Sequence, residues 1–331
     1  MHNLLEVLSP GLETTVQDWP GMKGAFKYGF NHSGAIDHWS FRLANLLVGN
    51  KIQAPGLEAQ FIGPALRFKA EHSFAITGAN MQATLDNKPI PLWETHRAKP
   101  NQILKLGSAI TGARAYIAFS GGIAAKPFIG SCATHTMAKA GGINGRKLLV
   151  NDSIPLNPDH NPESCFIPKH GQPPVINEKN WEIETVIGPS DDWISNEGQK
   201  LFFNTNWVVS PRSNRMGIRL DGPPLLFSKR ATNKAPEHGS HPSNCVDIGY
   251  PVGGINICGD TPVVLLNEGL TGGGFIVPFT VPSSEFPKLA QARPHETFRF
   301  KSVSVLHAQS KRKTINDICQ PKILQSKDLL P

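Results

Sequence analysis

Several things are scarce in this chain, and each scarcity removes a class of protein. Charged residues make up 18% and aromatics 8% of the 331 positions, too few charges for a salt-bridge-laced helical rod or a disordered polyelectrolyte. No apolar run approaches the ~20 residues of a membrane span, so no membrane partner is expected. The five cysteines (132, 165, 245, 258 and 319) are odd in number and far apart. They do not make a disulfide framework, and a reducing compartment is the simpler expectation. The opening "MHNLLEVLSPGLE" has no basic segment followed by an apolar core, so a cytoplasmic location is expected. The common catalytic signatures G-x-S-x-G, G-x-x-x-x-G-K-[ST] and H-E-x-x-H are missing.

Acidic residues are outnumbered, 26 against 33 basic ones, giving a net charge of +7 and a pI near 9.2. The basic residues are spread out, however, and the only dense run is Lys311-Arg312-Lys313. No groove-reading motif accompanies them, so no nucleic-acid partner is expected.

What is plentiful is punctuation: 31 glycines and 28 prolines, as many short strands joined by tight turns require. "PALRFKAE", "SFAIT", "MQATLD", "QILKLG" and "RAYIAFSGG" read as strands in the first half, "WEIETVIG", "NWVVS", "MGIRLDG", "GGINICGD" and "TPVVLLNEG" in the second. Helices are expected over 35–48, 191–203 and 283–292. In the first, Ile36, Trp39, Leu43, Leu46 and Leu47 form an apolar stripe, with Ser33 as cap and Gly49-Asn50 as the left-handed close. Asp37, Phe41 and Asn45 form a second stripe, too polar for a core and too apolar for a face that meets only water. Six prolines between 155 and 174 mark a connection. The expected organisation is a domain at 1–154, a linker at 155–180, a domain at 181–310 and a basic tail at 311–331. The fold class is mainly β with a few helices.

Three stretches suggest chemistry. In "TTVQDWPG", Asp18 precedes a Pro-Gly turn and either bonds that turn or faces a ligand. In "SNRMGIRLDG", Arg215 beside a turn offers a planar donor fork to a carboxylate or phosphate, or to a structural ion pair. In "HGSHPSN", His241, Ser243 and Asn244 crowd polar groups into a segment too small to pack a core. His238, His241 and Cys245 have ligand-like spacing, but no second pair completes a zinc site, and no metal is expected. Cys132 reads as a small buried hydrophobe. The glycine clusters at 141–146 and 271–275 read as turns or bulges.

Taken in order, "TTVQDWPG", "HSGAIDHWSFRLANLLVGN", "APGLE", "GARAYIAFSGG", "GSCAT", "GGINGRKL", "SNRMGIRLDG", "HPSN" and "GGINICGD" resemble the carboxyltransferase family that contains the 5-oxoprolinase C-type subunits and the carboxyltransferase part of urea carboxylase. The resemblance runs from about residue 10 to 308. It implies two tandem cyclophilin-like β-barrel halves with a cleft between them. By residue, it implies catalytic roles for Asp18, Asp37, Arg215 and His241. Substrate-binding roles fall to Gln17, Asn45, Glu58, Arg114, Asn214, Ser243, Asn244 and Glu268.

Its leading functional implication is a C-subunit-like part of an ATP-dependent 5-oxoprolinase, opening the 5-oxoproline lactam to glutamate with A-subunit-like and B-subunit-like partners. ATP would be bound with or by those partners. The alternative is a carboxyltransferase of urea-carboxylase type, taking carboxybiotin from a separate carrier and acting on urea or a related amide. A third is a non-catalytic module that regulates a B-subunit-like partner. The chain departs from the family pattern at Met22, where Arg is usual, and at Glu268, where Asp is usual. Leu270 replaces the Gln of the 5-oxoprolinase pattern, and Asn151 replaces a Gly.

Overall fold

The computed structural model describes residues 3–174 and 179–327. The chain forms two compact units. The first takes in residues through Gly24, those from His32 to the undescribed 175–178, and those from Ile315 on; the second takes in 25–31 and the chain up to Thr314. Both are mainly β with a few short helices.

In the first unit, one sheet runs in the order Ser153–Pro155, Leu4–Ser9, Ala65–Phe68, Ile103–Lys105, Thr84–Leu85, Lys88–Pro89. The other runs Glu13–Gln17, Gly56–Gln60, Thr111–Phe119, His72–Asn80, Thr95–Ala98. Leu5, Val7, Leu66 and Leu104 of the first sheet share one core with Val16, Leu57, Ile76 and Ile117 of the second. Strand residues alternate between faces, so the partners of that apolar set point the other way. These are Thr15, Gln17, Glu58, Thr77, Arg114 and Tyr116, all buried.

A helix, His38–Leu47, covers this polar face, with Phe41 edge-on to Tyr116 at 5.9 Å. That answers the puzzle of the second stripe: it faces a sheet whose hidden side is itself polar. The helix cap is Asp37 rather than the expected Ser33. Asp37 Oδ1 accepts the Ser40 N–H at 2.9 Å, whereas the Ser33 hydroxyl donates to Thr134 O at 2.6 Å. Ser33 sits at φ +52, outside the extended region an N-cap prefers. The expected close does form: Gly49 at φ +69 and Asn50 return their N–H groups to Leu46 O and Asn45 O, a Schellman motif.

The stretch expected as linker carries structure of its own. Cys165–Phe166 pairs with Gln325–Ser326, and Gly171 O accepts the Trp39 indole N–H at 3.0 Å. Its positions 175–178 lie outside the described residues, as do 328–331 of the expected tail. That tail begins inside a helix, Val305–Ile318. The helix escaped notice because the polar run from Gln309 to Thr314 interrupts its apolar period. Ile315 and Cys319 reach the core beside the 38–47 helix.

The second unit is a closed barrel. Its strands run Asn180–Ile187, Phe279–Thr280, Gly254–Cys258, Thr261–Leu265, Gly217–Asp221, Trp207–Val209, Thr297–Ser302, and the last pairs with the first in parallel. The helix Asn196–Asn204 presents Phe202, fully buried, stacked on Phe279 at 4.2 Å and on Phe300 at 4.7 Å. A two-stranded ribbon, Asn244–Gly249 with Gly272–Phe275, lies over the outside of the barrel. Val263 and Leu265 of the barrel meet Ile248, Tyr250 and Phe275 there. The "TGGGF" cluster is therefore mostly strand. Residues 25–31 join this unit through Asn31, whose amide donates to Gly269 O at 2.6 Å, and through Gly29 O, which accepts from the Thr271 hydroxyl at 3.1 Å.

Candidate functional site

The residues singled out in the first unit are all buried, and their polar atoms are largely engaged with the scaffold. Gln17 donates to Thr15 Oγ1 and Thr134 O, while its Oε1 accepts from Gly34 N–H at 3.1 Å and the Ser33 hydroxyl at 3.4 Å. An amide has two donors and two lone pairs, so little capacity remains for a ligand. Asp37 is the helix cap just described, and its Oδ2 takes the Ser40 hydroxyl at 2.6 Å. Asn45 bonds Ala54 O at 3.0 Å and accepts from Asn50 at 2.8 Å, fixing the loop behind the helix.

Glu58 Oε2 accepts the Ile36 N–H at 3.1 Å, and its Oε1 lies 3.5 Å from Arg114 Nε. Tyr116 pairs with Glu58 across the sheet, and its oxygen accepts the Asp37 N–H at 2.8 Å. Burial first, then the Glu58 and Asp37 charges, push the Tyr116 phenol well above its ordinary value. Asp18 bonds its own turn, as one reading of the sequence expected, through the Gly21 N–H. It also receives the Ser131 hydroxyl at 2.7 Å and the Cys132 N–H at 2.7 Å. Burial, then the Asp18 charge, push the Cys132 thiol up to about 11, which keeps it un-ionised at neutral pH.

The second-unit residues sit on turns at the edge of the barrel. Ser243 donates its backbone N–H to His241 Nδ1 at 3.1 Å, and its hydroxyl lies 2.9 Å from the same nitrogen. A backbone N–H can only donate, so Nδ1 is the acceptor and the imidazole proton belongs on Nε2. Lys234 binds the two ends of this turn, donating to His241 O and to Asn244 O at 2.7 Å, with its ammonium 5.6 Å from the Trp193 ring centre. His238 spends Nδ1 on the Val246 N–H. No group of three potential metal ligands converges among the described residues. Arg215 donates from Nε to Glu268 Oε1 at 2.5 Å, both side chains being buried. Asn214 Oδ1 accepts the Met216 N–H at 2.8 Å.

Beside these turns the barrel exterior and the ribbon enclose a pocket of about 210 Å³. Arg212, Asn214 and Arg219 give it polar groups, while Val263, Leu265, Leu270 and Phe275 give it apolar walls. Of the catalytic and substrate-binding residues expected from sequence, Asn214 alone is in the lining. Two that were missed, Asn256 and Cys258, lie inside the quoted "GGINICGD". The signal was there: in Ile255-Asn256-Ile257-Cys258 the isoleucines alternate into the core, which leaves Asn256 and Cys258 facing outward.

A profile of the carboxyltransferase domain, subdomain A and B, matches residues 28–302. The chain belongs to this carboxyltransferase family. It is 36% identical to the urea amidolyase of Saccharomyces cerevisiae over 313 residues, covering 92% of this chain and 17% of that protein. It is 32% identical to the C subunit of Escherichia coli 5-oxoprolinase over 314 residues, covering 93% of this chain and 94% of that one. The crystal structure of the Kluyveromyces lactis urea carboxylase matches with a TM-score of 0.89 at 35% identity, over 100% of this chain and 30% of that one. The family expected from the motifs is the one found, and this chain spans about a sixth of the urea amidolyase it resembles. Among the described residues, no helix is long and apolar enough to cross a membrane.

Proposed function

We propose that this chain is a carboxyltransferase component of urea-carboxylase type, acting on the nitrogen of urea or a related planar amide. The observation that carries the reading is the His241-Pro242-Ser243-Asn244 turn. Its imidazole is locked by Ser243 with the proton on Nε2, and Nε2 has no partner among the described residues. A fixed neutral donor of this kind suits the oxygen of a ureido group, where negative charge develops as nitrogen is carboxylated. "QDWPG", "SFRLAN", "HPSN" and "GGINICGD" look like the urea carboxylase branch, and the 36% relative and the fold match of TM-score 0.89 support the same side. Carboxybiotin on a biotin carrier would supply the carboxyl group. This chain would hold the acceptor nitrogen and position donors around it.

A second reading is favoured by the match to a 5-oxoprolinase C subunit. The 32% identity extends over 94% of that subunit, which supports an ATP-dependent lactam hydrolase assembled with A-subunit-like and B-subunit-like partners. Leu270 in place of Gln weighs against it.

The test combines the chain with a biotin carboxylase, a biotinylated carrier, ATP and labelled bicarbonate. Transfer of label to urea that requires this chain supports the first reading. Conversion of 5-oxoproline to glutamate with the A-subunit-like and B-subunit-like partners, and no transfer of label, replaces it with the second. Tight partner binding without either turnover points to a regulatory module.

A further inference from the structure

One edge of the first unit carries an apolar face that no described residue covers. Leu12 is 50% exposed, Ile62 44%, Leu149 46% and Val150 55%. Hydrogen bonds gather the four into one place. The Leu12 N–H donates to Ile62 O at 3.0 Å, and Leu148, just before Leu149, donates its N–H to Thr14 O at 2.8 Å. Asn151, just after Val150, donates its N–H to Val7 O at 2.8 Å. Leu149 and Val150 thus bridge the two sheets beside the turn that joins Leu4–Ser9 to Glu13–Gln17. Half-exposed, the four side chains present on the order of 400 Å², the size of the largest patch on a typical monomer.

The rim of this face has charges of both signs. An open dish of about 640 Å³ adjoins Leu12, and Glu13, Lys139 and Lys147 line it. Arg146, in the same wall, is held by Asp152 at 2.7 Å. Lys147 meets a neutral oxygen, Leu12 O, at 3.2 Å. Neither Glu13 nor Lys139 has an ion-pair partner among the described residues. An acidic partner would be repelled at Glu13, and a basic one at Lys139 and Lys147. A rim of mixed sign is matched by its own two-fold copy, in which residue i meets j and j meets i.

We infer that two copies of this chain associate through this face about a two-fold axis. Leu12, Ile62, Leu149 and Val150 pack at the centre, and Glu13 of each copy pairs with Lys139 of the other. The aliphatic groups supply the driving force by leaving water, while the reciprocal charge pairs fix the register. With the rim of the dish added, the face approaches the ~800 Å² per partner of a specific interface. Every residue named lies in the first unit, so the association is independent of which reaction the His241 turn serves.

Sedimentation velocity of the full chain over a range of concentrations tests this. A monomer–dimer equilibrium should appear, and Leu149→Asp should weaken it about 10-fold or more by placing a charge in the buried centre. Glu13→Lys and Lys139→Glu should each weaken it similarly, because each sets like charges against one another. An equimolar mixture of these two single variants should recover dimers, since every pair across the axis then has opposite signs. All three side chains are at least partly exposed, so the variants should keep the wild-type melting temperature. A chain that stays monomeric up to about 100 µM, a dimer that Leu149→Asp leaves unchanged, or a mixture that fails to recover would overturn the inference. Monomers that instead bind the biotinylated carrier, and lose it in Leu149→Asp, would give the face to that partner and overturn self-association equally.

Discussion

Arg215 and Glu268 form an ion pair at 2.5 Å whose side chains are 3% and 0% exposed. Glu268 also donates its backbone N–H to Arg215 O at 3.2 Å, so the pair closes a loop of chain from both ends. Removing Glu268 strips a buried guanidinium of this ion pair. Glu268→Ala should therefore cost about 3–5 kcal/mol in urea unfolding. Glu268→Asp, the residue usual in the family, should keep the pairing and lose less than half of that. An Ala variant within about 1 kcal/mol of wild type would mean that water or another group solvates the guanidinium.

The His241 turn can be loosened without touching its ring. Ser243→Ala removes the hydroxyl that faces Nδ1 and that also accepts the Gly259 N–H at 3.2 Å. The backbone bond from Ser243 N remains. The variant should lose about 1 kcal/mol of stability, and nitrogen NMR should show the His241 ring exchanging between tautomers. Lys234 acts on the same turn from behind. Lys234→Met should lower turnover about 10-fold, with kcat falling more than KM rises. Lys234→Arg should recover part of it, because guanidinium can still donate to both carbonyls. Unchanged kcat in Lys234→Met would end its role as a positioning residue.

The sequence made much of this visible and hid the rest for identifiable reasons. Strands such as Thr111–Phe119 and Gly254–Cys258 announce themselves because one face is continuous apolar core. The polar side of the first sheet was harder. Glu58, Arg114 and Gln17 look like ligand-binding groups in a motif, yet each is engaged inside the protein. Identity of side chain does not reveal whether its partner is a ligand or the scaffold. Asn256 shows the opposite difficulty. A single polar residue between isoleucines reads as a tolerated exception, and only the geometry shows that its oxygen goes unmatched among the described residues.

The helix Val305–Ile318 is held to the second unit by charge. Lys311 bonds Glu285, which is fully buried, and lies 3.1 Å from Glu184; His307 lies 3.1 Å from Glu184. Lys288 remains on Glu285 at 2.7 Å when Lys311 is lost. Lys311→Met should thus cost about 1.5–3 kcal/mol, the range for a hydrogen bond to a charged group, rather than unfold the unit. Amide hydrogen exchange should accelerate over the helix and stay unchanged in the barrel strands. Acceleration throughout would show that the helix and barrel unfold as one.

Asp18 gives a test with a definite sign. Burial pushes its carboxyl above the ordinary 3.8, opposed only in part by the Ser131 hydroxyl and the Cys132 and Gly21 N–H groups. A carboxyl raised on folding holds its proton more tightly in the folded state. Its contribution is complete below the unfolded value and is lost as pH rises through the folded one. Asp18→Asn keeps an acceptor oxygen but carries no charge at any pH. Urea midpoints for wild type and Asp18→Asn across pH 3–7 should therefore diverge, with wild type losing ground as pH rises, by about 1.4 kcal/mol for each unit the carboxyl is raised. Should wild type gain on the variant instead, the three donors outweigh burial. Asp18 would then stand as a low-lying carboxylate, ionised throughout the working range and unable to give up a proton there.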